Sequence, residues 1–202
     1  MVSVLGLIFT GETGAGFYDW HRLLGEIVLG LLLFRILWGL LGSSNARLSK
    51  LISNPISAFS HLRSFVKRDV AEERGHNPAG AWAALIMLVL LSVQALTGLF
   101  IADEDEFVEG AFYSQVDYGT AEFFYDIHHT NALFIKIAVS VHVVMVFAYL
   151  LYAKHNLISA MFTGRKRMSL STESSIKLGS AGLGAGIAIA VFAAMAFVFG
   201  WI

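Results

Sequence analysis

The chain has no cysteine among its 202 residues. Disulfides, thiolate ligands, iron–sulfur clusters and c-type haem attachment are therefore excluded, and any bound metal must use imidazole, carboxylate or backbone oxygen. Charge is scarce as well: 14% of residues are Asp, Glu, Lys or Arg, against 56% hydrophobic, and the formal net charge is -1. That balance belongs to an integral membrane protein, not to a soluble domain. No basic patch with interleaved aromatics appears, which removes nucleic acid as a partner. The apolar start has neither the basic flank nor the small-residue cleavage pattern of a secretory signal. No internal repeat or low-complexity linker is evident, so the chain reads as one domain over residues 1–202.

What the chain does have is hydrophobic length. Apolar windows of about 20 residues predict full spans at residues 22–42, 80–102, 126–152 and 178–202. The fold class is all-α, a transmembrane helix bundle. A shorter stretch from Val2 to Thr10 covers about 14 Å as a helix, half of a hydrocarbon core about 30 Å thick. With its Thr-Gly-Glu-Thr-Gly exit, residues 1–10 read as the remnant of a first helix whose other half is missing from the sequence.

The loops sort by charge. Residues 43–77 hold Arg47, Lys50, Arg63, Lys67, Arg68 and Arg74, and the segment after Tyr152 holds Lys154, Arg165, Lys166, Arg167 and Lys177. Both are expected on the cytoplasmic side. The loop between them carries Asp103, Glu104, Asp105, Glu106, Glu109 and Asp117 with no Lys or Arg, and Glu12 and Asp19 precede the first full span. These two segments are expected outside, in the periplasm of a bacterium, and the spans then alternate without contradiction. The acidic loop is either a solvated loop obeying topology or a docking surface for a basic partner.

Histidines within apolar segments are the chemical signal. His128 and His142 lie fourteen residues apart in one span, which puts them on one helix face about 21 Å apart along the axis. His21 opens the second helix at the same surface at which His128 opens the fourth, so the two lie at matching depth and can face each other. A lone histidine at a helix start is commonly an interfacial polar residue, whereas ionisable groups within a span default to a functional reading. His142 is set among Ala138, Val139, Val141, Val143 and Val144, where an unpaired imidazole is costly. His129 points about a quarter turn from His128 and reads as a capping or loop residue, with a ligand role as the alternative. His61 and His155 read as loop or helix-end residues. His76, in Gly75-His76-Asn77-Pro78, stands just before a span.

Two cations lie inside spans. Arg35 follows His21 by fourteen residues and so keeps nearly the same face toward the cytoplasmic half. Burying it there costs about 2.5 kcal/mol or more unless it pairs or snorkels; an acidic cofactor group and the lipid headgroups are equal candidates. Lys136 falls between the paired histidines, about 80° off their face, and carries no assigned role.

Trp20-His21 followed by Gly25 and Arg35, the Gly75-His76-Asn77-Pro78-Ala79-Gly80 stretch, and His128 with His142 followed by Lys154-x-Asn156-Leu157 together resemble the prokaryotic cytochrome b561 family. That group includes the cytochrome b subunits of membrane hydrogenases and formate dehydrogenases. The resemblance implies a four-helix core with two b haems and the last helix as an addition. It implies that His21 and His128 are the axial pair of the outer haem and His142 one ligand of the inner haem. The family's other inner ligand, a histidine early in the first helix, has no counterpart here, so the inner haem lacks a second ligand unless His76 replaces it. A propionate becomes the fitting partner for Arg35.

Bis-histidine iron has no open position, which favours electron transfer over oxygen activation. The expected function is electron transfer between a periplasmic partner, such as a cytochrome c or a hydrogenase or dehydrogenase subunit, and quinone in the bacterial inner membrane. The alternatives are a transporter or channel lined by His, Lys and Arg, and a structural anchor for a periplasmic redox enzyme.

Overall fold

The computed structural model describes residues 1–44, 46–69, 77–103, 108–163 and 180–201. His76 lies outside the described residues, as do Arg74, Gly75, Glu104, Asp105, Glu106, Arg165, Lys166, Arg167, Lys177, Gly179 and the start of the last predicted span.

The described helices are α1 (Val2–Glu12), α2 (Tyr18–Leu41), α3 (Pro55–Val66), α4 (Pro78–Gly98), α5 (Tyr118–Leu151), α6 (Leu157–Thr163) and α7 (Ala181–Phe199). Of these, α2, α4, α5 and α7 are long and apolar enough to cross a membrane. Leu31, Leu33, Ile137, Val144, Phe147 and Ile189 on these helices are exposed, and an apolar surface of that extent is one that meets lipid. Polar atoms are accounted for internally: among the described residues no buried side-chain nitrogen or oxygen lacks a hydrogen-bond partner.

The helix ends are set by local chemistry. Both prolines of the chain stand at the start of a helix behind an asparagine cap: Asn54 accepts from Ile56 N–H before α3, and Asn77 from Gly80 N–H before α4. Proline at that position lacks only a donor that would have no partner anyway. Gly14, at φ +78°, turns the chain between α1 and α2.

The third predicted span begins earlier than hydropathy suggests, at Tyr118 instead of residue 126. Asp117 caps it, accepting from the Thr120 N–H at 3.0 Å and the Thr120 hydroxyl at 2.7 Å. Those bonds hold the Asp117 carboxyl below the usual carboxylate range. The first turns of α5 are too polar for an apolar window. His128 therefore lies well inside a helix, not at its opening.

A second departure is α3, which forms within the segment expected to be a loop. His61 is buried on its inner side, with its Nε2 2.7 Å from the Tyr149 hydroxyl of α5. Tyr149 also packs against Phe65 with the ring planes tilted by 41° and accepts from Asn77 Nδ2. Ser53 and Trp82 join the same end of the bundle, the Trp82 Nε1–H donating to the Ser53 carbonyl at 3.0 Å.

At the other end, β1 (Ala102–Asp103) and β2 (Val108–Glu109) form an antiparallel hairpin with Ala102 opposite Glu109. It folds over the outlets of α1, α2, α4 and α5, and the Tyr18 hydroxyl donates to the Glu109 carbonyl. Val4 of α1 packs with Ile135 and Val139 of α5, flanked by Ile8, Leu90 and Leu91. The helix α7 packs on α2: Phe192 and Met195 lie against Gly30, and Trp38 against Gly184. Gly182 and Gly186, the pair with G-x-x-x-G spacing, do not make this contact, and a side chain at Gly186 would meet nothing within 4 Å.

Candidate functional site

The outlets of α1, α2, α4 and α5 enclose a cavity of about 370 Å³, within the size range of small-molecule sites. His21 from α2 and His128 from α5 face each other across it, with ring centroids 6.3 Å apart and planes 70° apart. Val4, Leu7, Ile8, Leu91 and Ala95 supply apolar walls.

Each imidazole is fixed in the same way. The Thr10 hydroxyl donates to the Gly6 carbonyl at 2.8 Å and stands 3.0 Å from His21 Nδ1. The Thr97 hydroxyl donates to the Val93 carbonyl at 2.8 Å and stands 3.2 Å from His128 Nδ1. The glycine after each threonine makes room for the ring. A Cβ on Gly11 would sit 3.1 Å from His21 Cε1, and one on Gly98 2.9 Å from His128 Cε1.

This symmetry exposes a repeat, contrary to the expectation that the chain has none. Thr10-Gly11 and Thr97-Gly98 end α1 and α4, and Phe17-Tyr18-Asp19-Trp20-His21 matches Phe124-Tyr125-Asp126-Ile127-His128 at four of five positions. His21 follows Thr10 by 11 positions, and His128 follows Thr97 by 31. The β1–β2 hairpin and the early turns of α5 occupy the longer interval. Unequal spacing hides the repeat until the two hairpins are seen to meet at one cavity.

Of the other sequence candidates, His129 and Lys136 also line the cavity, whereas Arg35 and His142 are not among its lining residues. Arg35 donates to the Ala46 carbonyl at 3.0 Å, toward the far end of α2. His142, half-buried, lies on the deeper part of α5 and has no hydrogen-bond partner among the described residues. His129 is exposed, with its ring centroid 4.0 Å from that of Tyr125 and the two planes tilted by 34°. Lys136 pairs with Glu12 at 2.7 Å, joining α5 to α1 at the cavity rim.

Sequence reasoning passed over Glu26. It is 6% exposed and lines the cavity. Arg22 Nε donates to one carboxylate oxygen at 3.0 Å, and Trp201 Nε1, beyond α7, donates to the other at 2.7 Å. An acidic residue one turn from Arg22 within an apolar run was the available signal. Thr10 and Thr97 gave almost none, because threonines in apolar helices routinely bond the carbonyl four residues back.

A haem fits this donor set. Two metal–imidazole bonds of about 2 Å in line, plus the radius of a ring on each side, place trans ring centres roughly 6 Å apart. The observed separation agrees. Among the described residues no group of three or more His, Cys, Asp or Glu could by itself hold a metal ion. The cavity supplies apolar walls for a macrocycle, and Arg22 and Lys136 on its lining are cations for acidic substituents.

A family model described as prokaryotic cytochrome b561 matches residues 1–164, which takes in both histidine-bearing hairpins and stops before α7. No curated protein and no solved structure gives a match. The chain belongs to the prokaryotic cytochrome b561 family and is a multi-pass, haem b-binding membrane cytochrome of electron transfer.

Proposed function

We propose that the protein carries electrons between a redox partner in the periplasm and the quinone pool of the bacterial inner membrane, through a haem b held axially by His21 and His128. The observation that carries this reading is the facing pair itself, 6.3 Å between ring centroids, with each Nδ1 already engaged by a threonine. The Nε2 atoms are then the nitrogens left for iron. A haem held by His21 and His128 would supply reversible one-electron chemistry. The chain's own contribution is to fix both rings, to keep water from the apolar walls and to place Arg22 and Lys136 near acidic substituents.

Sidedness follows from charge. The end with His21 and His128 carries Asp103, Glu109 and Asp117, and the opposite end carries Arg47, Lys50, Arg63, Lys67 and Arg68. The positive-inside rule puts the first in the periplasm. His142 is proposed as one ligand of a second haem nearer the cytoplasmic side, with Arg35 at that end for a propionate and His76 as the remaining candidate ligand. Against a transporter, the intramembrane charges are engaged locally: Lys136 with Glu12, Arg22 with Glu26, and Arg35 with a carbonyl.

The test is reduction of the purified protein in vesicles by a quinol, followed in the visible α-band. A bis-histidine b-type spectrum that is reduced by quinol and reoxidised by an acceptor added on the His21 side supports the reading. A haem that neither quinol nor an outside acceptor can address contradicts it.

A further inference from the structure

The repeated Thr-Gly and Phe-Tyr-Asp-x-His segments build two equivalent half-sites, and the threonines are their active part. Thr10 is 6% exposed and Thr97 5%. A hydroxyl has one proton. In both cases it is committed to a helix carbonyl, Gly6 or Val93, at 2.8 Å. The oxygen can then only accept from the imidazole nitrogen beside it, so the ring proton must sit on Nδ1. Nε2 keeps its lone pair.

We propose that Thr10 and Thr97 are paired positioning residues that set the tautomer and ring plane of His21 and His128 and thereby tune the bound haem; this rests on the reading of those histidines as its axial ligands. Each acts through its histidine and does not touch the iron. Accepting a hydrogen bond from a ligating imidazole raises that ligand's basicity, which favours the ferric state and lowers the midpoint potential. The Leu7 and Gln94 carbonyls, beside the same two imidazoles, offer a substitute acceptor. Loss of a hydroxyl therefore loosens the ring without releasing the haem.

The experiment compares Thr10→Val, Thr97→Val, Thr10→Ser and Thr97→Ser in the full chain, by haem content, redox titration and electron paramagnetic resonance of the ferric low-spin state. That resonance reports the angle between axial ring planes, and planes 70° apart predict the highly anisotropic type. Both valine variants are expected to keep haem, raise the midpoint potential and shift the signal, with the larger change at Thr10, whose bond is the shorter. Both serine variants are expected to return toward the parent values. Thr13→Val is the control: its hydroxyl also bonds a carbonyl four residues back, that of Phe9, but meets no histidine, and its spectrum should not move. Valine variants with full haem and unchanged potential and resonance overturn the proposal. If valine costs the haem, the serine variants decide: recovery of haem and signal supports it, and failure to recover overturns it. His21→Ala and His128→Ala are measured in parallel, since a parent-like low-spin signal and haem count per chain in either defeats the ligand reading itself, whereas loss of the same haem's low-spin signal in both alongside silent threonine variants defeats only the role of the hydroxyls.

Discussion

Replacing Gly98 by alanine asks how closely the site is built. The new Cβ would lie 2.9 Å from His128 Cε1 and 3.3 Å from Nδ1. Carbon atoms rest at about 3.5–4.0 Å, so the ring must withdraw by roughly 0.6 Å or more. Overpacking of this kind costs about 1–3 kcal/mol, and alanine returns up to about 1 kcal/mol through helix propensity. The net stability loss is then at most about 3 kcal/mol, and the protein is expected to fold. Geometry suffers more, because a functional group has to be held within about 0.5 Å of its productive position. Gly98→Ala should lose a large part of its low-spin haem, Gly11→Ala less, since its closest contact is 3.1 Å, and Gly186→Ala none, since nothing lies within 4 Å. Pyridine haemochrome content per chain and the reduced-minus-oxidised spectrum measure this order. Full haem with an unshifted spectrum in Gly98→Ala would refute the reasoning that the glycine exists to seat the ring.

Trp201→Phe removes one of the two donors to the buried Glu26 carboxylate. A hydrogen bond to a charged group contributes about 1.5–3 kcal/mol, so thermal unfolding in detergent should show a loss of that order with haem retained. Deleting residues 176–202 should likewise leave haem content unchanged while lowering the unfolding temperature, because α7 covers α2 but lends no residue to the His21–His128 pair. Tyr149→Phe takes the hydroxyl from both His61 and Asn77. It should loosen α3, seen as faster proteolysis within residues 55–66, and should not alter the haem spectrum.

Much of this architecture can be read from the sequence. Apolar windows locate all four long helices, and the histidines at matching depth, His21 and His128, do meet. Hydropathy fails where a helix continues into polar residues, as at Tyr118 to Tyr125. It also fails where an amphipathic helix lies across an end of the bundle, as α3 does. The ion pair between Glu12 and Lys136 and the bond from Trp201 to Glu26 join residues 124 and 175 positions apart, and no local pattern announces them. The half-site repeat was present all along in Phe-Tyr-Asp-x-His. Its two copies stand at unequal distances from their Thr-Gly partners, so only the fold brings them into register. On α7 the small residue that makes the contact is Gly184, against which Trp38 of α2 packs.

The identity of the axial pair is tested most directly by the low-spin ferric signal of His21→Ala, His128→Ala and His129→Ala beside the parent protein, each scored for haem per chain. His21→Ala and His128→Ala should each lose bis-histidine character at the same haem, and His129→Ala should keep it, since its ring lies against Tyr125 and it is His128 that faces His21. A parent-like low-spin signal in His128→Ala, or its loss in His129→Ala alone, would contradict the account.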